Sequence, residues 1–392
     1  MIRCYIQRMK RGDYIKYIWQ HPEWPQWRFD AARLSKLLSS VTLERGRLLG
    51  RMQAMGFKLA EETTLRMLTE DVIKSSEIEG EKLDKASVRS SLARRLGMDI
   101  GALAPADRHV DGVVEMVLDA TQRYEQPLSK ERLSGWHAAL FPTGYSGLSK
   151  IGVGIYRTDV DGPMQVVSGG IGREKVHFEA PPAERLEQEM MRFLDWFNQT
   201  HGLDPTLKAG LAHLWFVTLH PFEDGNGRIG RAVCDMALAR ADGSSHRFYS
   251  LSAQIQRERK VYYDALEFAQ KGTLDVTGWL EWFLDCLLRA ILDAGEQMES
   301  VMIKAAFWRH WSGTSMNVRQ VKMLNKMLDG FEGHLTNKKW ASMNQCSPDT
   351  ALRDIRELVE HGVLASAGAG GRSTHYVLCE GEIRDPVPSV RT

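Results

Sequence analysis

The sequence predicts a mainly α-helical fold that carries a β-hairpin in its middle and a winged helix near its C-terminal end. Apolar residues recur every three or four positions, as in amphipathic helices, in LLGRMQAMGFKLAEETTLRMLTEDVIKSSEIEGEKL, RLEQEMMRFLDWFN, LKAGLAHLWFVTL, RAVCDMALARA and VTGWLEWFLDCLLRAIL. Two short runs, MQVVS and KVHFEA, have strand-like composition and flank the turn SGGIGRE. Beyond Ser312 the pattern is helix, turn, helix, strand, glycine-rich turn and strand.

The chain is long enough for two or three domains. Its 392 residues exceed what one ordinary hydrophobic core organises. We place an N-terminal helical region at residues 1–105, a helical core at 106–300 and the winged helix at 312–392. In the last of these, Ser347 suits an N-cap, Pro348 suits the first helical position and Gly362 suits a left-handed helix end.

Composition excludes several classes of protein. The chain is 43% hydrophobic and 26% charged with a formal net charge of +1, so no overall field holds it on nucleic acid or on a membrane. Its five cysteines are scattered without a C-x-x-C pair, which argues against a disulfide framework and favours a cytoplasmic location. The N-terminal MIRCYIQRMKRGDY lacks the apolar run of an export signal, and charges interrupt the most apolar helix. We therefore expect no membrane partner.

The stretch HPFEDGNGRIGR, residues 220–231, joins two predicted helices. Pro221 cannot continue the first helix, and the second begins near Arg228. The free N–H groups at the start of that helix favour an anion, and Gly225-Asn226-Gly227 lets the backbone approach it closely. Arg228 and Arg231 lie one turn apart, so both guanidinium groups can bind phosphate oxygens of one ligand. The pattern indicates a polyphosphate site.

Two further residue types in this stretch suit a reactive site. Asp224 or Glu223 offers the hard carboxylate oxygen that Mg²⁺ prefers beside phosphates. His220 is the only group of the stretch that titrates near neutral pH, so it is the natural general base. Taken singly, Asn-Gly is more often a hairpin turn, and a histidine after an apolar helix is more often a cap. All the defined positions together are expected by chance on the order of once in 10⁸ chains of this length.

These residues resemble the signature HPFx[D/E]GNGRxxR of the Fic (filamentation induced by cAMP) family, and the surrounding helices with the preceding hairpin are similar to the Fic fold. The resemblance implies a protein adenylyltransferase, an enzyme that moves AMP from ATP to a Ser, Thr or Tyr hydroxyl of a target protein. It implies that His220 deprotonates the target hydroxyl and that Asp224, rather than Glu223, holds Mg²⁺. By the same resemblance, Gly225, Asn226 and Gly227 bind the α- and β-phosphates, Arg228 binds the β-phosphate and Arg231 binds the γ-phosphate.

Two other segments near this stretch resemble parts of the family's nucleotide and target sites. RKVYYDALEFAQKG is similar to the nucleoside-binding helix, which implies that Tyr262 and Gln270 lie near the adenosine. As helix residues alone, each fits an ordinary core or surface position equally well. The hairpin of MQVVS and KVHFEA lies where the family has a flap that holds the target segment by main-chain pairing.

A second motif lies in KSSEIEGEKL, N-terminal to the core. It resembles the family's inhibitory motif (S/T)xxxE(G/N), with Ser75, Glu79 and Gly80 at the defined positions. In that motif the glutamate pairs with the second arginine of the signature, here Arg231. An arginine held by a carboxylate cannot also hold a γ-phosphate, so ATP would bind in an unproductive pose. We therefore expect an autoinhibited enzyme, with Glu79 inside the nucleotide site.

The N-terminal end of the chain also resembles a known pattern. YIWQHPEWPQWRFD is similar to the N-terminal helical region of a bacterial Fic subfamily that carries a C-terminal winged helix. Its Trp19, Trp24 and Trp27 suit packing anchors better than a ligand cage.

An alternative function is that of a DNA-binding regulator. The winged helix would contact DNA through Arg353, Arg356 and Arg372, and the Fic core would sense a nucleotide or remove AMP. Residues 315–392 carry ten Lys plus Arg against nine Asp plus Glu, a weak charge excess for a DNA-binding domain. The sequence therefore favours neither DNA nor a protein as the partner of this domain. The oligomeric state stays open as well, a homodimer included.

Overall fold

A computed structural model describes residues 3–4, 16–54, 57–100, 104–105, 107–160, 162–169, 173, 175–199, 202–329, 331, 333–367 and 374–379. Contacts divide the chain into two units, Met1–Ala294 and Gly295–Thr392. The described residues are mainly helical with a few short strands, which confirms the predicted fold class.

The helices of the first unit follow a short 3₁₀ turn at Ile18–Gln20. They are α1 (Ala31–Ala54), α2 (Phe57–Ile78), α3 (Lys85–Leu96), α4 (Arg108–Gln122), α5 (Lys130–Leu140), α6 (Ala183–Asn198), α7 (Pro205–Leu219), α8 (Asn226–Asp242), α9 (Leu251–Arg257) and α10 (Arg259–Gln270). Helix α11 (Thr277–His310) begins in the first unit and contains the boundary between the two units.

Helices α7 and α8 pack against each other and form the centre of the first unit. Both are buried over most of their length, and every residue of α7 from Thr206 to Leu219 except Lys208 is buried. A helix that is buried on every side is held by its neighbours rather than by solvent. Helix α2 packs against α9, where the buried Asp71 accepts a 2.6 Å hydrogen bond from Ser250 Oγ. The loop between α7 and α8 is therefore held at both ends by buried helices.

The predicted β-hairpin is present as β4 (Gln165–Ser168) and β5 (Lys175–Glu179), which pair antiparallel with Val166 opposite Phe178. The turn SGGIGRE between them lies for the most part outside the described residues. A strand that was not predicted, β1 (Arg3–Cys4), pairs with the other edge of β4 and completes the order β1-β4-β5. A smaller hairpin joins β2 (Tyr145–Ser146) to β3 (Ser149–Lys150).

The tryptophans near the N-terminus pack against the first unit. Trp19 Nε1 donates to the carbonyl of Glu179 at 2.7 Å. The rings of Trp24 and Trp27 both meet Trp215 of α7 edge to face, with centroids 6.1 and 5.8 Å from it. Edge-to-face contacts of this kind add to the stability gained by burial.

The second unit contains the rest of α11, then α12 (Val318–Leu328), α13 (Asn337–Asn344) and α14 (Pro348–Glu360), followed by the antiparallel pair β6 (Leu364–Ala367) and β7 (His375–Leu378). Ser347 caps α14 by accepting from Thr350 N at 3.1 Å, and Gly362 is left-handed with φ 76°. Trp340 and Leu358 are fully buried in its core. Arg372, in the predicted wing, lies outside the described residues. Throughout the described parts of both units, no helix is long and apolar enough to cross a membrane.

Candidate nucleotide site

The loop between α7 and α8 holds His220 in an unusual backbone conformation. Its φ of 48° is left-handed, a conformation that costs a non-glycine residue roughly 1–2 kcal/mol. The His220 amide donates to the carbonyl of Phe216 at 3.0 Å, and its own carbonyl accepts from Arg157 Nε at 2.8 Å. Backbone strain that is fixed by neighbours in this way is common at functional sites.

The His220 side chain has the protonation state that a base needs. Its Nδ1 lies 3.3 Å from the carbonyl of Val217, an arrangement that places the proton on Nδ1 and leaves the Nε2 lone pair free. Burial lowers the pKa of His220 to about 4, and the nearby charge of Arg157 acts in the same direction. The imidazole is therefore neutral at physiological pH.

Asn226 fastens the loop by its side chain. Its Oδ1 accepts from the amide of Phe222 at 2.9 Å, and its Nδ2 donates to the carbonyl of the same residue at 2.7 Å. Each end of the side-chain amide thus makes a hydrogen bond inside the protein, and together these bonds fix the loop. Gly225 precedes α8 with a φ of 78°.

A cavity of about 310 Å³ opens beside this loop. Its walls are the loop with the start of α8, the hairpin β4–β5 and one face of α10. The lining residues include His220, Asp224, Gly225, Asn226, Gly227, Tyr262, Gln270 and Glu79. A volume of this size, bounded by apolar walls and a few convergent polar groups, is typical of a small-ligand site.

Arg231 is buried and is held by the end of α2. Its Nη1 lies 2.9 Å from Glu79 Oε1, its Nε donates to Ser75 Oγ at 2.9 Å and its Nη2 donates to the carbonyl of Ser75 at 2.8 Å. Burial opposes the charge, but the pair with Glu79 keeps the pKa of Arg231 above its ordinary value. Two of the three residues of the predicted inhibitory motif therefore contact this arginine directly, and Gly80 follows them at the end of α2.

The Glu79 carboxylate lies against the backbone of Gly227. A Cβ atom built on Gly227 would overlap Glu79 Oε1, so the absence of a side chain is what lets the carboxylate approach the start of α8. An anionic oxygen in that position interacts favourably with the positive end of the helix dipole. A carboxylate of the protein thus occupies the place that the sequence assigned to a phosphate.

Arg228 has a carboxylate partner that the sequence did not predict. Its side chain is 2% exposed, and its Nη1 donates to Glu81 Oε2 at 2.7 Å. The same carboxylate oxygen lies 3.2 Å from Nε2 of His109 in α4. Within the described chain, Nε of Arg228 is buried without a hydrogen-bond partner. The Arg228 guanidinium lies 5.2 Å from the centre of the Phe141 ring.

The two acidic residues of the motif point to different places. Asp224 lines the cavity, accepts from the amide of Gly225 at 2.6 Å and contacts the hydroxyl of Ser146. Glu223 instead accepts from the amide of Gly152 at 3.2 Å. Among the described residues no group of three His, Cys, Asp or Glu side chains could hold a metal by itself. One carboxylate still suits Mg²⁺, because this ion takes most of its remaining ligands from water and phosphate.

Tyr262 and Gln270 both lie on the cavity wall formed by α10. The Tyr262 hydroxyl is hydrogen bonded to His213 Nε2 at 2.8 Å. Gln270 Nε2 lies 3.3 Å from Thr218 Oγ1.

A chain of hydrogen bonds connects the hairpin to α10 at the same cavity. Ser168 Oγ lies 2.5 Å from His177 Nε2, and His177 Nδ1 lies 2.5 Å from Glu267 Oε2. Burial raises the pKa of Glu267, but hydrogen bonds from Lys271 and His177 outweigh it and hold the pKa below its ordinary value. This chain of hydrogen bonds, which the sequence did not predict, fixes the side of the hairpin that lines the cavity.

Two parts of the chain match sequence models of known protein domains. A sequence model of the Fic/DOC family matches residues 127–238, and a model of a domain of unknown function (DUF4172) matches residues 17–98. Protein adenylyltransferase Fic of Drosophila melanogaster is 35% identical over 124 residues, which are 31% of this chain and 22% of that protein. The protein of the same name from Culex quinquefasciatus is 33% identical over 129 residues, which are 32% and 23% of the two chains.

A solved structure is similar over a longer stretch at lower identity. The crystal structure of a Fic family protein from Desulfovibrio desulfuricans G20 is 20% identical, covers 87% of this chain and 95% of its own, and aligns with a TM-score of 0.48. The chain spans about a fifth of the length of the adenylyltransferases that it matches. Residues 127–238 are thus similar to the Fic/DOC family.

Proposed function

We propose that this chain is a protein adenylyltransferase that moves AMP from ATP to a Ser, Thr or Tyr hydroxyl of a target protein. One observation carries the proposal. Two buried arginines lie one turn apart at the start of α8, and the loop before that helix holds a neutral histidine whose Nδ1, but not Nε2, has a hydrogen-bond partner among the described residues. Arginine pairs of this kind bind phosphate oxygens, and a neutral imidazole accepts a proton from an attacking hydroxyl.

The proposed reaction is an in-line displacement at the α-phosphorus. The target hydroxyl oxygen forms a bond to that phosphorus as the bond to the β-phosphate oxygen breaks, and pyrophosphate leaves. His220 Nε2 accepts the hydroxyl proton. The amides of Gly225, Asn226 and Gly227 hold the α- and β-phosphates, Arg228 binds the β-phosphate and Arg231 binds the γ-phosphate. Fixed donors around the phosphates stabilise the charge that develops, with no rearrangement at the moment of reaction.

Asp224 is the residue that we assign to Mg²⁺. Its carboxylate lines the cavity next to the proposed phosphate site, whereas Glu223 points to the backbone of Gly152. When bound, Mg²⁺ neutralises phosphate charge and supports the departure of pyrophosphate. We assign the adenosine to the wall that contains Tyr262 and Gln270, and the target segment to main-chain pairing with the hairpin β4–β5.

We further propose that the enzyme is autoinhibited by Glu79. The carboxylate takes the place of a phosphate on Gly227 and holds Arg231, as the contacts above describe. Two negative groups cannot share one buried arginine without strong repulsion, so ATP binds productively only after Glu79 has left.

One labelling experiment tests the reaction and its inhibition together. The wild type, Glu79→Gly and Glu79→Gly with His220→Ala are incubated with α-labelled ATP, Mg²⁺ and a cell lysate. We expect label on protein with Glu79→Gly, much less with the wild type and none with the double variant. Absence of label with Glu79→Gly contradicts the adenylyltransferase, and equal labelling by the wild type contradicts the inhibition. Label that persists in the double variant shows that His220 is not the base.

For the second unit we propose a winged helix over residues 312–392 that docks a partner. Arg353 and Arg356 are exposed on α14, whereas Asp354 between them is buried and holds Arg319 at 2.7 Å. The DNA-binding alternative predicts that the full chain shifts duplex DNA in a salt-dependent way and that changing both exposed arginines to alanine removes the shift. Cys234, Cys286, Cys346 and Cys379 are free thiols, which supports a cytoplasmic location.

A further inference from the structure

The end of α2 brings two carboxylates, not one, to the start of α8. Glu81 N donates to the carbonyl of Ser76 at 3.0 Å and Gly80 N donates to that of Glu77 at 3.0 Å, the bonding pattern of a Schellman helix end. Gly80 adopts the left-handed conformation that this end requires, with a φ of 87°. The chain therefore reverses at Gly80, and the residues on either side of it face the same neighbour.

Each of the two carboxylates pairs with one of the two arginines. Glu79 lies 2.9 Å from Arg231, and Glu81 lies 2.7 Å from Arg228. The arginine side chains are 3% and 2% exposed, whereas the glutamate side chains are 29% and 36% exposed. The cations are thus fixed inside the protein, and the anions can move out to solvent.

Each buried arginine needs an anionic partner. A buried charge that loses its partner is strongly destabilising, so the guanidinium groups favour any anion that can reach them. Arg231 keeps two hydrogen bonds to Ser75 when Glu79 leaves. For Arg228, Glu81 is the hydrogen-bond acceptor that the described residues provide, and its Nε has none. Arg228 therefore depends on Glu81 more than Arg231 depends on Glu79.

Glu81 is held in the ionised form that this role requires. Burial acts against the charge, but hydrogen bonds to His109 and the charge of Arg228 lower the pKa of Glu81 below its ordinary value. His109 and Arg228 are the titratable groups that contact the carboxylate from α4 and α8.

We infer that Glu81 is a second inhibitory carboxylate, which occupies Arg228 as Glu79 occupies Arg231, so that both must leave before a triphosphate binds in a productive pose. The inference rests on the proposed function, because it takes Arg228 to be a phosphate ligand. It gives the site two separable contacts, and removal of Glu79 alone leaves one of them in place.

Binding of an α,β-methylene analogue of ATP with Mg²⁺, measured by calorimetry on the full chain, tests the inference without turnover. The variants are Glu79→Gly, Glu81→Gln and the double variant. We expect Glu81→Gln to tighten binding about fivefold or more in both backgrounds, in the range of ordinary coupling between sites. Glu77→Gln is the matched control, because Glu77 lies in the last turn of α2, four residues before Glu81, and pairs with Lys74 at 2.8 Å instead of a signature arginine. It should leave the affinity within about twofold of its parent.

Transfer kinetics supply a readout that a merely structural residue would not give. In the Glu79→Gly background, Glu81→Gln should lower KM for ATP and leave kcat unchanged, because it removes a competitor of the substrate. An unchanged or weaker affinity in both backgrounds overturns the inference, and weaker affinity would mean that Glu81 orients Arg228 for phosphate. If Glu79→Gly transfers no AMP, the proposed function fails, yet the binding measurement still decides whether Glu81 competes with the analogue.

Discussion

At the scale of single residues, the chemistry depends on a histidine that is neutral and an arginine pair that is charged. His220 titrates near pH 4 in the folded protein, below the ordinary value of about 6.5, because it is buried next to Arg157. Between these two pH values the unfolded chain binds a proton that the folded chain does not. The stabilising contribution of neutral His220 to the free energy of unfolding is therefore lost as the pH falls through this range.

We predict the pH profile of the proposed AMP transfer from this shift. For Glu79→Gly, kcat/KM for ATP should stay nearly constant from about pH 8 to about pH 5.5 and fall only toward pH 4, since it reports the free enzyme. Initial rates of AMP incorporation measure it, and circular dichroism over the same range separates titration from unfolding. An acid limb centred near pH 6.5 would contradict the buried, neutral base.

The sequence predicted the motif from His220 to Arg231 and the pairing of Glu79 with Arg231, but not the partner of Arg228. His220 to Arg231 form one continuous motif, so their spacing alone places them at a helix start. Glu81 and Arg228 are 147 positions apart, and their contact depends on how the chain reverses at Gly80. Arg157, which fixes the carbonyl of His220, belongs to no motif in the sequence.

At the scale of elements, the C-terminal end of α2 and the residues that follow it supply the contacts to both arginines of α8. Their geometry depends on Gly80, at which an added Cβ would meet nothing within 4 Å but would have to accept a left-handed backbone. Helices and the hairpin β4–β5 were predictable, because apolar periodicity specifies them. The strand β1 was not, because two residues show no periodicity and their conformation comes from pairing with β4.

Gly80→Ala should therefore increase AMP incorporation relative to the wild type. The strain of about 1 kcal/mol at a left-handed alanine displaces the helix end and with it both carboxylates. Gly97→Ala is the matched control, because Gly97 ends α3 in the same conformation, with φ 70° and free space around it, and does not line the cavity. Equal labelling by the two variants would mean that the effect is general destabilisation.

At the scale of the whole molecule, the chain contains two units with separate cores. The sequence predicted the change in character after residue 312 from composition. It gave no sign of the contact boundary at Ala294 and Gly295, because α11 continues through it without a linker.

Separate cores predict separate unfolding. Trp340 is fully buried in the second unit, and Trp340→Ala should destabilise that unit by about 3–5 kcal/mol while leaving the first unit intact. Differential scanning calorimetry of the full chain should show two transitions, of which only one moves to lower temperature. A single transition that shifts as a whole would show that the units unfold together.

We expect a triphosphate to bind at the start of α8 between two buried arginines, with His220 beside its α-phosphorus. A crystal structure of Glu79→Gly with the α,β-methylene analogue and Mg²⁺ tests it most directly. We expect phosphates against the amides of residues 225–227, the γ-phosphate on Arg231, and His220 Nε2 facing the path of an incoming hydroxyl. Phosphates bound elsewhere, or an imidazole turned away from the α-phosphorus, would contradict it.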